Sequence, residues 1–246
     1  MTTAAEAEVT AAPDAGRGIR IGVIDSGVFP HHPHIGPVAG GVAILPEGET
    51  SDDPRAWLDR IGHGTAVTAA IQEKAPAAEV FAVKVFHDAL RTSGATLVRA
   101  IDWCVARRLD LVNLSLGSTN PAHRELFAAA VARAAEAGVT LIAARQNGDE
   151  LCFPGALPGV FGVALDWDVP RDRYAMREID GAAVCHASGY PRPVPGVAAQ
   201  RNLSGISFAV ANVTGLVAAR LSETGDASLP DLPTLQRHRP ACPGDP

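Results

Sequence analysis

Long basic runs, a secretory leader, paired metal-binding cysteines and membrane-length apolar stretches are all missing from this 246-residue chain. Each absence narrows what the protein does. With 21 Lys and Arg against 27 Asp and Glu, the formal net charge is -6, which disfavours nucleic acid or an anionic membrane as the main partner. Residues 1–17 are rich in Ala and Thr and lack the basic start and apolar centre of a leader. No apolar run is long enough to span a bilayer. Read as it stands, the chain is expected in the cytoplasm, although one whose leader had been removed would read the same. Cys104, Cys152, Cys185 and Cys242 show no CxxC spacing, which disfavours a zinc site. Reduced thiols suit a cytoplasmic protein, and Cys104 reads as a small core residue. A Cys152–Cys185 bridge stays open, because sequence does not give the geometry. There is no internal repeat.

What is present is enough apolar residue, 47%, for one globular domain with an extensive core. Residues 1–17 read as a loose arm and 222–246, rich in Pro and Asp, as a poorly ordered tail, leaving 18–221 as the folded unit. Within it, Gly18 to Ile24 forms a β-branched run that stops at Asp25-Ser26-Gly27, so a carboxylate is expected at a strand's carboxyl end. A loop follows to Arg60. Its His31, His32 and His34 invite a metal reading, but no carboxylate or Cys pattern accompanies them. Further strands are expected at Glu79–Phe86, Leu109–Leu116, Val139–Ala144 and Phe161–Leu165. Helices are expected between them, one around Leu97, Ile101 and Cys104, another from Ala122 to Gly138. Strands alternating with helices imply an α/β fold with a parallel sheet covered on both faces. From Leu165 to Gln200 short antiparallel strands and Pro-containing loops are expected.

Three polar residues stand at element boundaries. Asp25 ends a strand, where open α/β sheets bind ligands. His63 lies in Gly62-His63-Gly64-Thr65 and opens an Ala-rich helix; its flanking glycines permit close approach. Ser207 lies in Gly205-Ile206-Ser207-Phe208-Ala209, ahead of an apolar helix to Ala219. Alone, it reads as a helix cap. Together the three supply a hydroxyl, a base that can deprotonate it, and a carboxylate that fixes the base, in the order Asp, His, Ser that marks the subtilisin arrangement.

These motifs resemble those of the subtilisin-like serine proteases, the subtilases. The Asp25-Ser26-Gly27 and Gly62-His63-Gly64-Thr65 segments resemble the family's aspartate and histidine motifs. Its serine motif, usually written GTSMA, appears here with Ile206 and Phe208 in place of Thr and Met. Ala82-Val83-Lys84-Val85 and Asn113-Leu114-Ser115-Leu116-Gly117 also resemble family segments, so the likeness runs from about Gly18 to Leu221. It implies a three-layer α/β/α fold with a mainly parallel central sheet. It further implies a serine endopeptidase in which Ser207 attacks the scissile carbonyl, His63 serves as base and then acid, and Asp25 orients His63. Asn147 is implied as the oxyanion donor. Gln146 stands where the family has glycine, so Gln146 is an alternative donor.

By the same resemblance an extended peptide is the expected partner. Ser115, Leu116 and Gly117 would wall the primary specificity pocket, Ser93 and Gly94 would form the opposite edge, and Phe153 would lie at its base. No cofactor is expected: the short stretch between Ile71 and Val80 lacks the family's calcium-binding insertion. The arm before Gly18 is too short for the family's prodomain. A compact chain of this kind suits selective intracellular processing, such as maturation of a peptide precursor. Two alternatives use the same fold: an inactive peptide-binding protein, and a ligase or cyclase that passes the acyl group to an amine.

Overall fold

The computed structural model describes residues 11–179, 181–198 and 201–225. Eleven strands, four α-helices and a short 3-10 turn are built along the described chain in the order β1 (Arg20–Asp25), β2 (Val38–Ile44), β3 (Thr50–Ser51), α1 (His63–Lys74), β4 (Glu79–Lys84), α2 (Gly94–Ala106), β5 (Leu111–Leu114), the 3-10 turn (Pro121–His123), α3 (Arg124–Glu136), β6 (Thr140–Ala144), β7 (Gln146–Asn147), β8 (Glu150–Leu151), β9 (Phe161–Leu165), β10 (Tyr174–Ile179), β11 (Ala182–Ala187) and α4 (Ile206–Thr224).

Nine strands make one sheet in the order β10-β11-β9-β6-β5-β1-β4-β2-β3. The seven inner strands run parallel and only the two edge strands, β10 and β3, run antiparallel. Alternate side chains on each strand serve opposite faces. Ile21 and Val23 of β1 pack with α1 and α4 through Val67, Ile71, Val210 and Val213. Ile24 joins Ile101, Cys104, Phe127 and Val131 of α2 and α3 on the other face. This is the expected three-layer α/β/α architecture. The order of strands reverses at β1, which lies between β4 and β5. Such a switch point opens a crevice at the carboxyl ends of the strands, and Asp25 stands there.

Several boundaries differ from the sequence reading. The loop expected between Pro30 and Arg60 contains β2 and β3. Gly40 and Gly41 interrupt the apolar pattern of β2, and glycine weakens a strand's signature; the partner supplied by β4 restores it. The arm expected over 1–17 is ordered where it is described: Ala15 is buried, Gly16 N donates to Ser222 Oγ at 2.8 Å, and Ala77 N donates to Ala15 O at 2.9 Å. The final helix extends to Thr224, past the apolar run expected to end at Ala219 and past the expected end of the folded unit at Leu221. Residues 1–10 of the arm and 226–246 of the tail, with Cys242, lie outside the described residues. Cys152 and Cys185 are both free, as is Cys104, so the bridge left open between them is not formed. No helix among the described residues is long and apolar enough to cross a membrane.

Candidate active site

Three elements deliver the three polar residues to one place. Asp25 ends β1 and is fully buried. His63 is the first residue of α1, after Gly62 at φ 93, a left-handed conformation that glycine adopts freely. Gly64 follows because nothing larger fits: a Cβ there would strike the carbonyl oxygen of Gly27 and lie 3.2 Å from Asp25 Cβ. The helix start can therefore seat itself directly on the Asp25-Ser26-Gly27 turn. His63 Nδ1 lies 2.8 Å from Asp25 Oδ1, and Ser26 N donates to the same oxygen at 2.7 Å. A carboxylate on Nδ1 places that nitrogen's proton toward Asp25 and leaves Nε2 free to accept one. Burial lowers the His63 pKa, but the hydrogen bond and charge of Asp25 outweigh it, with Asp59 adding to them, and the result is a raised value.

Ser207 stands in the first turn of α4, and the cap position belongs to Gly205 at φ 140. The serine is therefore not a capping residue. Backbone N–H groups in a first turn have no partner within the helix, and Ser207 N makes no backbone hydrogen bond among the described residues. Together with the positive end of the helix dipole, this N–H is placed to meet developing negative charge. The Phe208 ring lies 5.8 Å from the His63 ring, centroid to centroid, which brings the start of α4 against the start of α1. Ser207 Oγ donates to Ser115 O at 3.2 Å, and Ser115 Oγ donates to Ser207 O at 3.3 Å. In this resting arrangement the hydroxyl is engaged with Ser115 rather than with His63.

The expected pocket residues are also gathered. Ser115 and Leu116 follow β5. Gly117 lies so close to the next segment that a Cβ would come 2.8 Å from Phe153 O. Ser118 and Phe153 exchange backbone hydrogen bonds, each of 2.9 Å. Ser93 caps α2, accepting from Thr96 N at 3.0 Å. Its neighbour Gly94 faces His123, which bonds Ser118 at 2.8 Å. Asn147 and Gln146 form β7, paired with Glu150 and Leu151 of β8. Adjacent strand residues point to opposite sides, so only one of these two amides can face the serine; Asn147 is exposed. His31, His32 and His34 stay on the outer loop, and no described group of three or more His, Cys, Asp or Glu is placed to hold a metal.

The supporting roles of two residues escaped the sequence reading. Asp59 accepts from Ser26 Oγ, Ile61 N and Gly62 N on one oxygen, each at 2.9 Å, and from Thr65 N and Thr65 Oγ1 on the other, at 2.9 and 2.6 Å. Burial alone would raise its pKa, but the hydrogen bonds from Thr65, Gly62 and Ile61 bring it below the usual carboxylate value. Ser26 Oγ in turn accepts from Gly64 N at 2.9 Å. Asp59 thus clamps the start of α1 to the Asp25 turn. Its signal was an Asp four residues before His63, the type that serves unpaired N–H groups at helix starts. Asn113, fully buried on β5, donates to Ser115 Oγ at 2.8 Å and accepts from Thr214 Oγ1 at 3.0 Å. It ties the pocket wall to α4.

A family model described as the subtilase family matches residues 16–166, a span holding Asp25, His63, Ser115 and Asn147. The chain is 35% identical over 161 residues to the minor extracellular protease Epr of Bacillus subtilis, covering 61% of this chain and 23% of that protein. It is 31% identical over 221 residues to a thermostable alkaline protease of Halalkalibacterium halodurans, covering 82% and 56% respectively. Against subtilisin E of Bacillus subtilis it is 25% identical over 237 residues, covering 89% and 57%. The chain thus spans little more than half the length of these relatives, or less. The matched span, the strand order and the placement of Asp25 and His63 agree: the chain belongs to the subtilase family.

Proposed function

We propose that the protein is a serine endopeptidase that cleaves peptides bound in extended form, through an acyl-enzyme on Ser207. The observation that carries this reading is the 2.8 Å contact between His63 Nδ1 and Asp25 Oδ1, on a helix start packed against the first turn bearing Ser207. On substrate binding the Ser207 hydroxyl turns from Ser115 O to His63 Nε2. His63 takes its proton as the oxygen attacks, then returns a proton to the leaving amine. Asp25 holds the ring and stabilises its cationic form. The Ser207 N–H and the Asn147 amide, with Gln146 as the alternative, receive the oxyanion; loss of one such donor costs about 3 to 4 kcal/mol. Ser115, Leu116, Gly117, Ser93, Gly94 and Phe153 hold the acyl half by main-chain pairing and a pocket.

We assign the enzyme to selective processing in a reducing compartment, with no calcium ion required. Three free thiols, Cys104, Cys152 and Cys185, suit such a compartment. Cleavage profiling on a peptide library, with the Ser207→Ala variant as control, tests the reading. Cleavage at a narrow set of sequences by the parent and none by the variant is expected. Equal cleavage by both would refute the assignment of Ser207, and products joined to an amine rather than hydrolysed would favour the ligase reading.

A further inference from the structure

The proton that His63 returns must reach the leaving amine, so the leaving half of a substrate lies on the His63 side of Ser207, away from the Ser115 wall. Three segments border that side. Residues 26–36 lead out of Asp25 and touch the start of α1, where Phe29 N donates to Thr65 Oγ1 at 3.0 Å. Residues 60–62 lead into His63. Residues 190–198 and 201–205 lead into Ser207. Arg192 Nη1 joins the last segment to the first by donating to His34 O at 3.1 Å, and Asn202 Nδ2 bonds Arg192 O at 3.4 Å.

These segments differ from the rest of the surface in two independent ways. Of the nine large apolar side chains exposed among the described residues, five lie here: Phe29, Ile61, Val194, Val197 and Leu203. Exposed apolar residues scattered singly are ordinary; these five fall on the segments that lead out of Asp25 and into His63 and Ser207, two of which the Arg192–His34 hydrogen bond joins. The charge also changes sign. Although the whole chain carries -6, these segments contain Arg60, Arg192 and Arg201 and not one Asp or Glu. Among the described residues none of the three arginines is paired with a carboxylate.

We infer that the leaving side of the cut contributes to substrate choice, through a surface that takes apolar side chains followed by acidic ones. This rests on the protease reading and adds to it the chemistry of the released segment. Apolar residues directly after the scissile bond would cover Ile61 and Leu203, which stand nearest His63 and Ser207 in the chain. Carboxylates further along would meet Arg60, Arg192 and Arg201.

The test uses internally quenched peptides with one common acyl half and leaving halves that begin Leu-Leu-Glu-Glu, Leu-Leu-Lys-Lys or Gly-Gly-Gln-Gln. The first is expected to exceed each of the others in kcat/KM by about tenfold or more, with the advantage over the lysine peptide shrinking at ~0.5 M salt. A double variant, Arg60→Glu with Arg201→Glu, is expected to reverse the order of the glutamate and lysine peptides. Rates equal within about twofold, or faster cleavage of the lysine peptide by the parent, would overturn the inference while leaving the protease reading intact. Absence of cleavage in every peptide, together with absence of a fluorophosphonate adduct on Ser207, would overturn both.

Discussion

Asp59 shows how one buried carboxylate holds the start of α1 on the Asp25 turn. Five donors converge on it, four from Ile61, Gly62 and Thr65 around His63 and one from Ser26 beside Asp25. Asp59→Ala leaves these donors unpaired and frees the start of α1. A loss of roughly 3 kcal/mol in unfolding free energy is expected, with kcat/KM lowered on the order of 100-fold through misplacement of His63. Urea denaturation and steady-state kinetics measure the two effects separately. Burial and Asp25 also determine the pH response. His63 must be neutral to act as base, and its pKa lies above the ordinary 6.5, so the acid limb of kcat/KM is expected above pH 6.5. Asp25→Asn, which removes the charge that raises it, is expected to move that limb downward. In stability the two groups have opposite signs. The raised His63 value contributes below about pH 6.5 and is lost as pH rises through the folded pKa; the lowered Asp59 value contributes above its ordinary 3.8 and is lost as pH falls through the folded pKa.

At the scale of elements, the site depends on α1 being allowed close to β1. Gly64→Ala places a methyl group against the carbonyl of Gly27, backbone that has little room to yield. Overpacking of this kind costs roughly 1 to 3 kcal/mol, and a fall in Tm together with loss of cleavage is the expected result. The far end of α1 is held differently. Glu73 binds Lys74 Nζ at 2.7 Å and also the Arg171 guanidinium, while Arg171 Nε donates to Tyr190 O at 3.1 Å. Glu73→Gln leaves two partly buried cations without their counter-charge and is expected to cost about 3 kcal/mol, read from chemical denaturation. Burial pushes Lys74 down from 10.5 to about 8 in spite of Glu73. A lowered lysine pKa means that this group's contribution to stability rises between about pH 8 and 10.5, and Lys74→Met should remove that rise from the Tm profile. How far these elements were legible follows from range. Asp25, His63 and Ser207 each sit in a short motif at a strand end or helix start, so local sequence revealed them. β2 owes its strand form to β4 and was hidden behind Gly40 and Gly41. The ordered turn around Ala15 depends on Ser222, more than two hundred positions away, which no local pattern records. Asn113 reads as one polar residue in an apolar strand until Thr214 and Ser115 are placed beside it.

For the molecule as a whole, a parallel sheet with its switch point at β1 and two pairs of helices on its faces is sufficient to bring residues 25, 63 and 207 together. Between α1 and β4 the chain makes only a turn over Ala75 to Ala78, and we propose that the core needs no bound ion. A chelator such as EDTA is therefore expected to leave Tm unchanged within about 1 °C, a shift that corresponds to only a few tenths of a kcal/mol; a fall of several degrees would show that a cation supports the fold. In the proposed mechanism, Asp25 and His63 together make Ser207 a nucleophile. Mapping of a fluorophosphonate adduct by mass spectrometry of the digested protein tests it most directly. One adduct, on Ser207, is expected, formed faster above the His63 pKa than below it and suppressed by His63→Ala. No adduct, an adduct on another residue, or labelling of Ser207 at the same rate in His63→Ala would contradict the claim.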